Sequence, residues 1–296
     1  MSNPRLVIAL AVYNGEKYLS QAIESILNQT FSDFKLLIGD NASTDATPVI
    51  CQKYAQQDSR ITYYRHPKNI GASSNHNFLF QPGDAPYFKW AAHDDVLKPD
   101  YLEKCIALLD QNPYLAIAHS LSVEIDANGK QLKTYDYELR LNGVLPRTRF
   151  WSILWTNYFN EVFGVMRTQL IKNTNLYGSY VGADRNFTAE MVLQGDVGYV
   201  DEYLFLRRHH PQAFTAELLD DASRLKWFDP EAKTPTFLTS VVKFQKYFDS
   251  IFQLPLPLSE KIACFKLLLD WAMRRGIRLP FTKDNQFQDK LISKHS

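Results

Sequence analysis

The sequence predicts an α/β protein: an open, mostly parallel sheet flanked by helices, followed by a helical C-terminal extension. Three observations carry that expectation. Residues 6–13 are continuously apolar and rich in Val and Ile, the pattern of a strand buried on both faces and therefore covered by helices on both sides. Helical and strand-like segments then alternate in the order that builds a parallel sheet. From about Ala216 strand signals stop, and helical patterns separated by Pro230, Pro235, Pro255 and Pro257 take over.

Each element has its own reason. After the turn at Asn14 and Gly15, Leu19, Ala22, Ile23, Ile26 and Leu27 recur at helical spacing, and FKLLIGD (34–40) returns as a second apolar strand. A helix starts near Asp45 with Pro48 in its first turn, ITYYR (61–65) is the third strand, and PYFKWAA ends the fourth before His93. Pro99 opens a helix bearing Leu102, Ile106 and Leu109, which Asn112-Pro113 stops before the strand-like AIAHSLSVEID. Asn128-Gly129 marks a hairpin turn. Beyond it the pattern is irregular: an aromatic stretch at 150–163, a strand-like FGVMR, and a helix near Asp184 carrying Phe187, Met191 and Val192.

The balance of 33 basic against 32 acidic side chains lacks the basic field of non-specific nucleic-acid binding, so no nucleic acid is expected as a partner. Cys51, Cys105 and Cys264 fit no metal or redox spacing and read as packing residues in a reducing, cytoplasmic compartment. Residues 6–13 run into a polar turn without a small-residue cleavage site, so they read as a strand and not as a leader. No apolar stretch reaches the roughly 18 to 20 residues of a transmembrane segment. Any membrane contact is therefore expected to be peripheral, at the inner face.

Ligands of open parallel sheets bind beyond the carboxyl ends of the strands, and the polar clusters all fall there. They are Tyr13-Asn14-Gly15-Glu16, the run from Asp40 to Asp45, Asn69-Ile70-Gly71 and His93-Asp94-Asp95. Each alone also reads as a turn or a helix cap. YNGEKYL after the first strand lacks the glycines of a dinucleotide fingerprint, and no P-loop is present. The adjacent carboxylates Asp94 and Asp95 offer a divalent cation, Mg²⁺ or Mn²⁺, a bridge to a diphosphate, or else one caps the following helix while the other is solvated.

Taken in order and spacing, VIALAVYNGEKYLSQAIESILNQTF, LLIGDNASTDAT, NIGASSNHN and WAAHDDVLKPDYLEK resemble the inverting nucleotide-sugar glycosyltransferases of the GT-A, Rossmann-like fold, glycosyltransferase family 2. The likeness covers roughly residues 5–211, with GADRNFTAEMVLQG similar to the family's second acidic motif and RRHHPQ to its C-terminal His motif. It implies a catalytic domain at 1–214, with a nucleotide-sugar-binding half at 1–113 and an acceptor and catalytic half at 114–214, and a helical extension at 215–296. It also implies a metal-dependent transfer of a sugar from a nucleoside-diphosphate sugar, UDP being the guess, to a carbohydrate or glycolipid acceptor hydroxyl in polysaccharide or glycolipid assembly.

The resemblance assigns roles residue by residue. Tyr13 would stack on the nucleobase and Asp40 would accept a hydrogen bond from the base. Val12, Asn14 and Glu16 would shape that recess, and Asn69, Gly71 and Asn75 would approach the ribose or diphosphate. Where the family carries D-x-D, this chain has Ala92-His93-Asp94, so the first acid is missing; Asp94, with Asp95 beside it, would hold the metal and diphosphate. His210 would complete the metal shell, with His209 as its rival and manganese favoured by an imidazole ligand. Asp184 would be the general base, or else a helix cap.

Other features have two readings each. His93 is a replacement polar contact or a packed or solvent-facing imidazole; Arg207 and Arg208 bind phosphate or are solvated. The 150–163 stretch with Trp151 and Trp155 is core or a sugar-stacking platform. Ile262 with Arg274, Arg275 and Arg278 belongs to a core helix or a lipid-facing one. Competing functions are a sugar nucleotidyltransferase, for which the Gly- and Arg-rich phosphate loop is absent, and a non-catalytic nucleotide-sugar-binding protein.

Overall fold

The computed structural model describes residues 3–135, 145–156, 160–211, 213, 220–232 and 239–277. In chain order its first half holds β1 (Leu6–Val12), α1 (Leu19–Leu27), β2 (Phe34–Asp40), α2 (Thr47–Gln57), β3 (Ile61–Arg65), α3 (Ala72–Phe78), β4 (Tyr87–Ala91), β5 (Val96–Leu97) and α4 (Tyr101–Gln111). Then come β6 (Leu115–Ile125), β7 (Gln131–Tyr135), α5 (Pro146–Trp155), β8 (Val165–Arg167), α6 (Thr168–Ile171), α7 (Ala183–Gln194) and β9 (Asp196–Arg208). The C-terminal helices are α8 (Asp221–Phe228), α9 (Thr239–Gln253) and α10 (Leu258–Arg274).

The strands form one nine-stranded sheet in the order β3-β2-β1-β4-β8-β6-β9-β5, with β7 paired to β6. The first four are parallel, β1 meeting β2 in register from Leu6 opposite Phe34 to Val12 opposite Asp40. Beyond β4 the sheet is mixed: β8 runs antiparallel to both β4 and β6, and β6 and β9 are parallel.

Strand β1 shows why the sheet needs two helical layers. Leu6, Ile8, Leu10 and Val12 pack with residues of α1, α2 and α4 on one face. Val7 and Ala9 point the other way, into a core shared with Phe150, Phe187, Phe244 and Trp271. Helices α9 and α10 therefore pack into the same core as the sheet. A buried polar network reinforces the joint: Ser250 of α9 donates to Glu190 of α7 at 2.6 Å, and Asn186 donates to Ser250 at 3.0 Å.

The aromatic stretch expected to be irregular begins as a helix, α5, with Phe150 fully buried and Trp151 and Trp155 packed against the same core. Residues 157–159 of that stretch, and Arg278, lie outside the described residues. The three cysteines are buried and unpaired. Among the described residues no helix is long and apolar enough to cross a membrane.

Candidate active site at the carboxyl ends of the strands

The turns after β1 and β2 are sewn into one unit. Asn14 N–H donates to Ser43 Oγ at 2.9 Å, Gly15 N–H to Thr47 Oγ1 at 2.9 Å and Glu16 N–H to Asp45 at 3.0 Å. In return, Asn14 Oδ1 accepts from Thr44 N–H and Glu16 Oε2 from Ala46 N–H. Asn14 and Ala42 both carry positive φ, 50° and 62°, which these reciprocal bonds hold in place. Gly15 is required by space: a Cβ there would lie 2.6 Å from Val12 and 2.7 Å from the His93 ring. The end of β4 is thereby brought against the end of β1, with the half-buried His93 ring beside Gly15.

Several expected ligand residues turn out to hold this frame. Asp40 is fully buried, one oxygen accepting from Ser43 N–H at 2.8 Å and the other from Tyr63 Oη at 2.9 Å. Its carboxylate is thus closed to solvent, both oxygens engaged by protein donors. Val12 is also buried. Asn75 is buried, its amide donating to Gly39 O at 2.8 Å and its Oδ1 standing 3.0 Å from His66 Nε2, so its polar groups are already engaged by protein. The bare side of Gly71 faces protein, since a Cβ there would lie 2.4 Å from the Phe228 carbonyl. Asn69 Oδ1 accepts from Asn41 and from Gly71 N–H. Sequence reasoning missed Asn41, which ties the end of β2 to that turn through both ends of its amide. By contrast Tyr13 is 44% exposed and offers a free ring face at the end of β1.

At the end of β4, Asp94 and the distant His210 meet, Nε2 lying 2.9 Å from Oδ2. Tyr18 packs against the imidazole with ring centroids 4.6 Å apart. His209 instead turns to Glu124, at 3.4 Å, so of the rival histidines only His210 reaches Asp94. Burial opposes the charge on Asp94, but His93 and the His210 hydrogen bond outweigh it and hold its carboxyl below the usual range. Asp95 behaves oppositely: burial and the Asp94 charge push it up, although it accepts from Arg208 N–H at 2.9 Å.

Arg208 follows neither of its two readings. It is buried, donates to the Asp94 carbonyl at 2.9 Å and lies over the Tyr18 ring at 4.8 Å, with a further bond to Gln21. It is a strut that fixes the Asp94 turn, and nothing in its sequence neighbourhood signals this. Arg207 donates to Asn160 at 2.9 Å.

Asp184 occupies the first turn of α7. It is half-buried, and burial raises its carboxyl pKa, countered only in part by the Arg185 N–H and by the charges of Arg185 and Lys243. Tyr177, which feels the Asp184 charge, stacks on Phe187 and lies 5.1 Å from the His76 ring of α3, and Asn77 bonds the Tyr177 backbone on both sides. His76 in turn feels His93 beside Asp94.

No group of three or more His, Cys, Asp or Glu is arranged as a metal site among the described residues. A fully protein-made cage is thus absent there, and Asp94, Asp95 and His210 do not form one. The donor set still suits a cation shared with a ligand. One carboxylate oxygen and one imidazole nitrogen already point at each other, and the Tyr18 hydroxyl near them is buried without a hydrogen-bond partner.

Sheet order and the gathering of polar turns beyond the carboxyl ends of β1, β2 and β4 define the class: an α/β protein whose polar clusters lie where open parallel sheets generally take their ligands. The chain belongs to glycosyl transferase family 2, whose profile matches residues 7–182. It is 33% identical over 140 residues to the uncharacterized glycosyltransferase MJ1057 of Methanocaldococcus jannaschii, a match covering 47% of this chain and 48% of the relative. The chain spans about half the length of the first curated relatives it matches. Its fold resembles S. aureus TarS 1-349 in complex with UDP-GlcNAc, with a TM-score of 0.68, 16% identity and coverage of 96% of this chain and 77% of that one. It also resembles the Pyrobaculum calidifontis mannosyltransferase PcManGT in complex with GDP-Man and Mn²⁺, with a TM-score of 0.55, 14% identity and coverage of 95% and 78%.

Proposed function

We propose that this chain is a metal-dependent, inverting glycosyltransferase that moves a sugar from a nucleoside-diphosphate sugar to an acceptor hydroxyl, in polysaccharide or glycolipid assembly at the cytoplasmic face of a membrane. The observation that carries it is the convergence of Asp94 with the distant His210 at 2.9 Å beyond the carboxyl end of β4, in a chain of glycosyl transferase family 2. Structural neighbours that hold UDP-GlcNAc, or GDP-Man with Mn²⁺, support the donor class and the cation; UDP-sugars are the first donors to test.

In this reading Tyr13 stacks on the base, and Asp94 and His210 hold the cation, with Asp95 behind them. A bound Mn²⁺ or Mg²⁺ supplies positive charge against the negative charge that grows on the departing nucleoside diphosphate. Asp184 takes the proton of the acceptor hydroxyl as that oxygen attacks the anomeric carbon opposite the leaving group. The new C–O bond forms as the bond to the diphosphate breaks, and the configuration inverts. A carboxylate pKa raised by burial makes Asp184 a stronger base than a solvated aspartate. In this reading the catalytic domain is 1–214, and helices α9 and α10 of the C-terminal extension pack into its core.

Replacing Asp184 by Asn tests the assignment. Transfer should fall about 10²–10⁴-fold, the range a positioned general base contributes. Calorimetric binding of the nucleoside diphosphate with Mn²⁺ should stay within experimental error. Unaltered turnover would remove Asp184 from this role.

A further inference from the structure

Helix α10 carries apolar side chains on two faces. Cys264, Leu268 and Trp271 turn inward and are buried in the core shared with the sheet. Leu258, Ile262 and Met273 turn outward, 69%, 45% and 68% exposed, with half-buried Phe265 and Leu269 between them. Successive spacings of three or four residues set these five side chains in one strip along the helix. Phe248 and Phe252 of α9 widen it, their rings 5.5 and 6.2 Å from that of Phe265. A helix on the outside of a water-bathed domain buries one such stripe and keeps its other side polar, so a second apolar strip marks a contact surface.

The charges beside the strip decide what covers it. Lys266, exposed, stands at the middle of α10 one turn on from Ile262, and exposed Arg274 and Arg275 close its C-terminal end. Lys261 donates to the Phe252 carbonyl at 2.7 Å. Two acids of α10 stand against these four cations: Glu260 is buried against Arg147, and Asp270 pairs with Arg274 at 2.8 Å. A second copy docked two-fold along the strip would set Lys266 against Lys266 in an interface losing its water. An anionic lipid surface instead complements the surplus positive charge and takes the apolar side chains below its headgroups. Since α10 is not long and apolar enough to cross a membrane, the contact lies along the surface.

We propose that the outward strip of α10, with Phe252 beside it, docks the protein on an anionic lipid bilayer, the helix lying in the plane of the headgroups. This rests on the membrane location proposed above, for which it names the surface, and it is independent of the roles given to Asp94 and Asp184. The two sequence readings of this helix then hold together: its inner face is core and its outer face meets lipid. Docking concentrates the chain where a glycolipid acceptor resides.

The test is co-sedimentation of the full chain with vesicles of phosphatidylcholine alone and of phosphatidylcholine and phosphatidylglycerol in equal parts. The mixed vesicles should bind, less so as salt is raised, and the neutral ones about tenfold more weakly. Replacing Leu258, Ile262 and Met273 together by Gln should lower the partition coefficient about tenfold or more; Lys266→Gln should lower it about fivefold, and Lys266→Arg should retain it. The three apolar positions are exposed, so thermal unfolding should hold; if the triple variant does not fold, Met273→Gln and Lys266→Gln carry the same comparison. No binding to mixed vesicles, equal binding to both kinds, or binding unmoved by the Gln variants would overturn the docking face. So would a dimer in light scattering that the triple variant turns into a monomer, because a second copy then covers the strip. Calorimetric binding of a nucleoside diphosphate with Mn²⁺ keeps the two proposals apart: vesicle failure with that binding intact strikes the docking face alone, and loss of that binding strikes the glycosyltransferase reading instead.

Discussion

Around the ends of β1 and β2, Asn14, Glu16, Asp40 and Asn41 use their hydrogen-bonding groups on one another's loops. Around α7 and the ends of β4 and β9, by contrast, Asp94 meets its partner from a distant segment and Asp184 stays half-buried. The two regions contain the same residue types. The first has spent its polar capacity on fixing the backbone, which removes the entropy of ordering those loops when a ligand arrives. The second has capacity left over, at a cost in stability, and that is where chemistry can be done.

The sharpest way to break this comparison is at Asp94. Asp94→Ala should lower transfer by roughly 10²–10³-fold, the loss typical of removing one electrostatic stabiliser of a transition state. His210→Gln should cost about 10–100-fold in apparent Mn²⁺ affinity. Each variant also leaves a buried partner unpaired, so a modest drop in melting temperature should accompany the loss of activity. If instead activity survives and the melting temperature drops, the Asp94–His210 pair belongs to the frame as well.

The frame gives the converse prediction. Asn75→Leu strands the buried Gly39 carbonyl, which loses its 2.8 Å donor, and should destabilise the fold by about 1–3 kcal/mol in urea unfolding. The donor KM of the folded fraction should be unchanged. A donor-affinity loss with no change in stability would return Asn75 to the ribose or diphosphate.

Much of this fold is legible in the residues. Apolar runs at 6–13 and 34–40 and the helical spacing from Leu19 mark β1, β2 and α1 because burial on both faces leaves so simple a pattern. Helix α3 escapes because ASSNHNF has no apolar period; its side chains are fixed by hydrogen bonds to Gly39 and Tyr177. Strand β5 is two residues long and exists through its pairing with β9. At the site, a sequence shows which residues are polar and near a strand end, but not whether their groups are already claimed. Asp40 and Asp94 look alike as letters, and only the position of Tyr63 and Ser43 against one, and His210 against the other, separates them.

A buried lysine sharpens the stability side. Lys89 on β4 is fully buried, donates to the Trp90 carbonyl at 3.2 Å and also to that of Phe163, and faces the Tyr101 and Phe205 rings. Burial pulls its pKa down from 10.5 to about 7, with Cys105 and Asp95 opposing. The folded chain releases this proton above about pH 7 while the unfolded chain keeps it up to about 10.5. Unfolding therefore takes up a proton across that window, and stability rises with pH there. Lys89→Met should abolish that rise, and at neutral pH should stabilise the fold on the order of 1 kcal/mol, burial relief being reduced by the two carbonyls left unpaired. Denaturant titrations of both chains at pH 7 and pH 9 give the difference directly; parallel curves would mean that Lys89 is solvated in the native state.

The smallest expected effect lies at Tyr13, the one residue of the β1–β2 turns whose ring is free of the frame. Being 44% exposed, it can be truncated without opening a cavity, so Tyr13→Ala should leave thermal unfolding unmoved. The loss of base stacking should weaken donor binding by about 0.5–1.5 kcal/mol, a several-fold rise in donor KM with kcat retained, and Tyr13→Phe should restore it because the ring face and not the hydroxyl makes the contact. A fall in kcat with KM constant would instead place Tyr13 with the groups that act on the transition state, and the boundary between frame and chemistry would then run through β1 itself.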